Sequence, residues 1–235
     1  MLECKDITKI YGRKTAVDHV SFRLEPGRIY AMLGPNGSGK TTIMKMAAGL
    51  VKPNSGNFFY NGTPVNPESR REIAYMSTEP YFYSWMTAAD VGRYYEDFFE
   101  DFSMERYHFL LERMELAPEL KTKSLSSGMM AKLKIAVTMA RKAKIYLLDE
   151  PLNGIDLLAR DVIIQSVLEE CSQDAALVIS SHLVDELERV VDTAIFIKEG
   201  RLVQMSEIEE LRMQQGMSVV DMYRDIYGHR GGELC

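Results

Sequence analysis

No run of apolar residues in this chain approaches the ~20 needed to cross a bilayer as a helix, so any membrane role calls for a second polypeptide. No block of lysine and arginine is present either. With 28 Lys+Arg against 34 Asp+Glu and a net charge of −6, the electrostatic footprint of a nucleic-acid binder is missing. Cysteine is scarce: Cys4, Cys171 and Cys235 are odd in number and never spaced as a CxxC pair. That argues against a disulfide framework or a zinc site and suits a reducing, cytoplasmic compartment. The opening residues Met1-Leu2-Glu3-Cys4-Lys5-Asp6 carry charges where a signal peptide needs an apolar stretch. Internal repeats and low-complexity segments are absent. What is there is ordinary for a globular protein: 235 residues, 46% apolar and 26% charged, enough for a substantial core.

The informative stretch is Gly34-Pro35-Asn36-Gly37-Ser38-Gly39-Lys40-Thr41-Thr42, which fits the phosphate-binding loop pattern G-x-x-x-x-G-K-[ST]. Its context is right. The apolar run Ile29–Leu33 reads as a buried strand, and Lys40 to Leu50 reads as a helix with Ile43, Met44, Ala47 and Ala48 on one face. Glycines let the backbone curl so that successive N–H groups point at phosphate oxygens, above the positive end of the helix. Lys40 carries charge to the outer phosphates. Thr41 offers a hydroxyl of the kind Mg²⁺ accepts, since that ion takes few protein ligands in such sites.

The organisation predicts an α/β fold. Leu2 to Ile10 and Val17 to Leu24 read as strands flanking a turn at Gly12-Arg13-Lys14, and Asn57 to Tyr60 and Ile73 to Met76 add further strands. From Pro80 to about Ala140 the chain turns aromatic and helical, with helices expected over Met86–Phe102, Ser103–Glu115 and Met130–Lys142. Short apolar strands return at Lys144–Leu148, Ala176–Ser180 and Thr193–Lys198, separated by helices at Leu158–Cys171 and Leu183–Val190. Alternation of this kind predicts a mostly parallel sheet covered on both faces. A last strand is expected at Leu202–Met205, with Ser206 capping a helix from Glu207. The tail from Gly216 gives no pattern. The whole reads as one phosphate-loop domain of residues 1–235: antiparallel β part, mostly parallel core, inserted helical subdomain at about 80–140.

Lys144 to Glu150 is an apolar strand ending in two acids. A carboxylate at the carboxyl edge of a strand beside a phosphate loop can hold Mg²⁺ or its waters, which suits Asp149. Glu150 is then placed to polarise a water attacking the γ-phosphate. Taken alone, Asn153-Gly154 is only a turn, His182 an ordinary histidine and Tyr11 a surface tyrosine at a strand end.

The phosphate loop, Leu125-Ser126-Ser127-Gly128-Met129, the Asp149-Glu150 strand end, Asn153-Gly154-Ile155-Asp156 and His182 follow one another in an order that resembles the nucleotide-binding subunit of ABC transporters. The resemblance runs from Leu2 to about Leu211. It implies that Tyr11 stacks on adenine and that Gly34 to Thr42 hold the phosphates of ATP. It further implies that Asp149 organises Mg²⁺, that Glu150 is the general base, and that His182 contacts the γ-phosphate and holds the attacking water. Ser126, Ser127 and Gly128 would complete the ATP pocket of the opposite subunit, and Asp156 would belong to a loop at the dimer interface. The implied assembly is a homodimer, or a heterodimer with a related ATPase chain. It would be attached on the inner face of the membrane to a separate permease, closest in look to bacterial exporters of drugs or peptides.

Three positions depart from the family pattern. Ser127 stands for a glycine and Met129 for a glutamine, and Ser77-Thr78-Glu79-Pro80 occupies the stretch where another glutamine is usual. Thr78 aligns best with it, so its hydroxyl, or the Glu79 carboxylate, is expected to reach the metal through water. Turnover is therefore expected to be slower than with an unmodified signature, or to depend on a partner that supplies a better one. The aromatic cluster Tyr81, Phe82, Tyr83, Trp85, Tyr94, Tyr95, Phe98, Phe99 and Phe102 reads either as subdomain core or, in part, as a groove for a helix of the permease. Two other functions compete with a transporter ATPase. One is a regulatory nucleotide-binding module that barely hydrolyses. The other is a non-transport ABC ATPase acting on nucleic acid or ribosomes, which usually carries two nucleotide domains, a coiled-coil insertion or basic surfaces not seen here.

Overall fold

Leu2–Tyr11 (β1) and Lys14–Leu24 (β2), the latter alternating buried and exposed side chains from Val20 to Leu24, pair antiparallel across a turn at Gly12, whose φ of 60° is left-handed. The computed structural model describes residues 1–79 and 81–228, apart from the side chains of Leu158 and Gln215. Ile29–Leu33 (β3) leaves this first layer and leads into helix Lys40–Ala47 (α1). Ser55–Tyr60 (β4) and Thr63–Pro64 (β5) then complete a four-stranded antiparallel sheet in the order β2-β1-β4-β5.

A short helix, Pro67–Arg71 (α2), precedes Ile73–Met76 (β6). The helical part follows as Ala88–Phe98 (α3), Met104–Arg113 (α4) and Ser127–Met139 (α5). Ile145–Asp149 (β7), helix Leu157–Glu170 (α6), Ala176–Ser181 (β8), the single turn Val184–Leu187 (α7) and Thr193–Lys198 (β9) return the chain to the sheet. Arg201–Glu207 (β10), Ile208–Gln215 (α8) and Val219–Gly228 (α9) end the described chain. The larger sheet has the order β10-β9-β3-β8-β7-β6, parallel except for β10.

The central strands read as continuous apolar runs because both faces of this sheet are covered. Period-two alternation splits their side chains. Tyr30, Met32, Leu147, Val178 and Ile195 pack with α1 and the antiparallel sheet, while Ala31, Leu33, Leu148, Ile179 and Phe196 pack against the helical part. Helix α1 thus lies in the core between two sheets, with Ile43 and Met44 fully buried.

Several boundaries move from their sequence expectation, each for a local reason. Helix α5 begins at Ser127, three residues before the expected Met130, because the Ser126 hydroxyl accepts the Met129 N–H at 3.2 Å and caps it. It stops at Met139, where Ser103 N–H takes the Ala140 carbonyl at 2.9 Å. Helix α3 starts after the Thr87 and Asp90 capping box and ends at Phe98, since Phe99 is extended. The expected helix Leu183–Val190 is only the four-residue α7. Ser206 does not cap α8: it lies within β10, and Glu207 occupies the cap position without a side-chain bond. The patternless tail contains α9, while Pro80 and residues 229–235, including Cys235, fall outside the described residues.

Candidate functional site

The phosphate loop connects the carboxyl end of β3 to the amino end of α1. Its shape demands glycine at Gly39, where φ is 112° and a Cβ would stand 2.7 Å from the Ala16 carbonyl oxygen, and at Gly34, where it would stand 2.3 Å from that of Ile197. No side chain caps α1 and no acidic residue stands in its first turn, so the positive end of the helix faces the hollow of the loop. Lys40 is 5% exposed. Its ammonium donates to the Gly34 carbonyl at 2.7 Å and pairs with Glu150 Oε1 at 3.2 Å.

The second half of the site comes from β7 and β8. Asp149 is fully buried at the end of β7, yet its carboxylate is well supplied with donors. Thr41 Oγ1 donates to Oδ1 at 3.1 Å, Ser180 Oγ to the same oxygen at 2.7 Å, and Tyr75 Oη to Oδ2 at 3.3 Å. Burial, and next the Asp149 charge, push the Tyr75 phenol well above its ordinary range, so it stays a donor. Glu150 follows with a φ of 49°, a left-handed conformation that a non-glycine residue adopts at a cost. Its amide donates to Ser180 Oγ at 2.9 Å, and Oε2 lies 2.9 Å from His182 Nδ1, just past the end of β8. Thr41, the consecutive Asp149 and Glu150, and His182, from three distant parts of the chain, thereby form one cluster bonded through Ser180.

A cleft of about 370 Å³ opens beside this cluster, lined by Tyr11, Lys14, Ala16, Asn36 to Thr42, Thr78, Glu150 and Asn153, whereas Gly34, Pro35, Asp149 and His182 are not among its lining residues. Tyr11 is 49% exposed at its rim, with Lys9 Nζ 5.1 Å from the ring centre. A larger cavity of about 540 Å³ lies between Arg70–Glu72, Phe98–Asp101 and Arg141–Lys144, at the amino-terminal end of β6 and β7, and contains no predicted site residue.

Ser126, Ser127, Gly128 and Asp156 do not line the cleft. They gather elsewhere, at neighbouring helix starts: Ser126 caps α5, and Asp156 caps α6 by accepting the Ala159 N–H at 3.0 Å. The two turns touch. A Cβ on Gly128 would stand 2.7 Å from the Gly154 carbonyl oxygen, and one on Gly154 would stand 3.0 Å from Ser127 Oγ.

A magnesium ion fits the donor set, because the Thr41 hydroxyl and an Asp149 carboxylate oxygen already converge at the foot of the phosphate loop. Among the described residues no group of three or more His, Cys, Asp or Glu side chains is placed to hold a metal. That suits an ion which takes one or two protein ligands and completes its shell with phosphate and water. Two residues of the site escaped sequence reasoning. Ser180 sits inside an apolar strand, and the only signal was a hydroxyl residue at a buried position next to the acidic strand end. Tyr75 looked like any strand aromatic.

Parallel sheet, phosphate loop and acidic strand end together define a nucleoside-triphosphate-binding protein of the phosphate-loop class. The ABC transporter family model matches residues 17–153, and the chain belongs to that family. It is 31% identical over 211 residues to the lantibiotic transport ATP-binding protein SrtF of Streptococcus pyogenes, covering 89% of this chain and 92% of that one. It is 35% identical over 221 residues to the uncharacterized ABC transporter ATP-binding protein YcbN of Bacillus subtilis, covering 91% and 72%. A solved ATP-binding subunit of an ABC transporter superposes with a TM-score of 0.85 at 27% identity, covering 96% of this chain and 99% of that one.

Proposed function

We propose that the chain binds ATP with Mg²⁺, hydrolyses it between two copies or near-copies of itself, and thereby powers a separate membrane permease. The observation that carries this reading is the bonded cluster of Lys40, Thr41, Asp149, Glu150 and His182 at one end of the parallel sheet. Lys40 and the loop amides bind the β- and γ-phosphates, and Tyr11 covers the base. Thr41 and Asp149 hold the ion, which when bound neutralises charge on the phosphates. Phosphate competes with Glu150 for the Lys40 ammonium, so nucleotide binding frees Oε1 to take a proton from water. His182 keeps Glu150 oriented through Oε2. The helix-capping turn of Ser126 to Gly128 stands outside this cleft and is free to meet the γ-phosphate held by a second subunit.

The helical part offers the permease a surface. Tyr83 and Trp85 stack at 5.9 Å while 58% and 64% exposed, and Phe98 is 67% exposed, whereas Phe99 and Phe102 turn inward against the core. The aromatic cluster is thus partly core and partly outward face, and the outward face suits a short apolar helix. Among the described residues no helix is long and apolar enough to cross a membrane. The protein acts on the inner face of the cell membrane, and a relative named for lantibiotic transport and another named for peptide export support a peptide-like cargo.

Steady-state ATPase of the purified chain tests the chemistry: Glu150→Gln is expected to lower turnover by about a hundredfold or more. Retention of wild-type turnover removes Glu150 from the mechanism. A slow enzyme is favoured by one further observation. Met129 packs against the core, and Ser127 puts a side chain beside Gly154 on the exposed turn where the family pattern has glycine. The double variant Ser127→Gly, Met129→Gln is therefore expected to turn over faster, and equal rates contradict that.

A further inference from the structure

Helix α5 buries a lysine. Lys134 is 5% exposed, and its ammonium donates to the carbonyls of two consecutive residues, Ser77 and Thr78, both at 2.8 Å. Burial pulls its pKa below the ordinary lysine range, and the negative charge of Asp149 works against that pull. An apolar side chain would fill the same helix-to-sheet contact without the cost of desolvating an ammonium. What the ammonium adds is a directed hold on one loop.

That loop occupies a particular place. It leaves the end of β6, Thr78 lines the nucleotide cleft, and the outward aromatic segment follows directly. Lys45 of α1 approaches Glu79 at 3.7 Å, so the loop is held from the phosphate-loop side as well. Lys134 in turn lies eight residues along α5 from the Ser126 cap, about 12 Å up a straight rod at 1.5 Å per residue. One helix therefore carries the Ser126–Gly128 turn at its tip and grips the Thr78 loop in its middle. The grip lies where the family's glutamine is missing.

We infer that Lys134 is a positioning residue that makes α5 and the Ser77–Glu79 loop move as one body. Closure of the Ser126–Gly128 turn on the partner's nucleotide is then transmitted to the chain's own cleft. The inference rests on the two-site dimer proposed above and adds to it the link between the sites.

The test uses the full chain with three substitutions. Lys134→Met keeps the stem and removes the charge, Lys134→Arg keeps the charge, and Lys134→Gln keeps donors for the two carbonyls should the methionine variant not fold. Turnover is measured across ATP concentrations, with affinity for a fluorescent ATP analogue and melting temperature alongside. Lys134→Met is expected to melt no lower than wild type and to bind the analogue within about twofold. Its kcat is expected to fall about tenfold, with loss of cooperativity in ATP, and Lys134→Arg to recover most of both. If the methionine variant unfolds, the glutamine variant is expected to fold and show the partial loss. Wild-type kcat and cooperativity in the methionine or glutamine variant overturn the inference. So does a loss that Lys134→Arg does not repair or that tracks the melting temperature. If wild type itself is non-cooperative and Glu150→Gln does not dimerise with ATP, the dimer reading has failed; an intact dimer with an indifferent Lys134 fails this inference alone.

Discussion

Removal of the Ser180 hydroxyl is the sharpest probe of how the acidic strand end is held. Ser180 is fully buried, donates to Asp149 Oδ1 at 2.7 Å and accepts the Glu150 amide at 2.9 Å, so one oxygen serves both acids. A hydrogen bond to a charged group contributes ~1.5–3 kcal/mol, and an orphaned buried amide costs a further ~1 kcal/mol. Asp149 keeps Thr41 and Tyr75 as donors, which limits the damage. Ser180→Ala should therefore cost about 3 kcal/mol out of a typical ~5–15 kcal/mol of net stability. With a urea slope of ~2–3 kcal/mol per molar for a chain of this size, the unfolding midpoint falls by about 1 M. The measurement is a urea titration followed by circular dichroism without nucleotide, beside steady-state turnover. Turnover should fall too, because Glu150 loses the contact that fixes its strained backbone. A midpoint within about 0.2 M of wild type at unchanged slope, with unchanged turnover, refutes the reasoning.

Two further outcomes follow from packing and burial. A Cβ at Gly92 in α3 would lie 2.4 Å from the Tyr107 ring, whose hydroxyl is tied to the Ala88 carbonyl at 2.7 Å. Gly92→Ala should cost ~1–3 kcal/mol through overpacking, and an unchanged melting temperature contradicts it. Burial pushes the Cys4 thiol up to about 12 and the Cys171 thiol up to about 11. A raised thiol pKa favours the neutral form, so at pH 8 the thiolate is on the order of a thousandth of either population or less. In a Cys235→Ser background, a disulfide reagent should leave buried Cys4 unlabelled and label half-buried Cys171 only slowly in the native protein, and label both thiols in urea; rapid native labelling of Cys4 contradicts its burial.

The sequence made the frame legible wherever one short pattern and its flanks agreed. Ile29–Leu33 before the glycine loop, and the Asp149-Glu150 end of an apolar run, placed two edges of the cleft. Residues whose role depends on a neighbour far along the chain were not legible. Ser180 matters because β8 pairs with β7 in a register that sets it opposite Asp149. Lys134 matters because α5 passes the end of β6, and nothing near it in sequence reveals two waiting carbonyls. Helix starts erred where capping decided them, as at Ser126. Helix α9 was missed because its support is tertiary: Val219 N–H reaches Glu188, and the Tyr227 hydroxyl donates to the Ile197 carbonyl at 2.9 Å.

The central claim is that triphosphate joins two subunits. Light scattering of Glu150→Gln with and without Mg²⁺ and ATP tests it most directly. A change from the 26.8 kDa of one chain to twice that is expected when nucleotide is added, reversed by Lys40→Ala. A mass that stays at one chain with saturating nucleotide, and no related ATPase chain co-purifying to complete the pair, contradicts it.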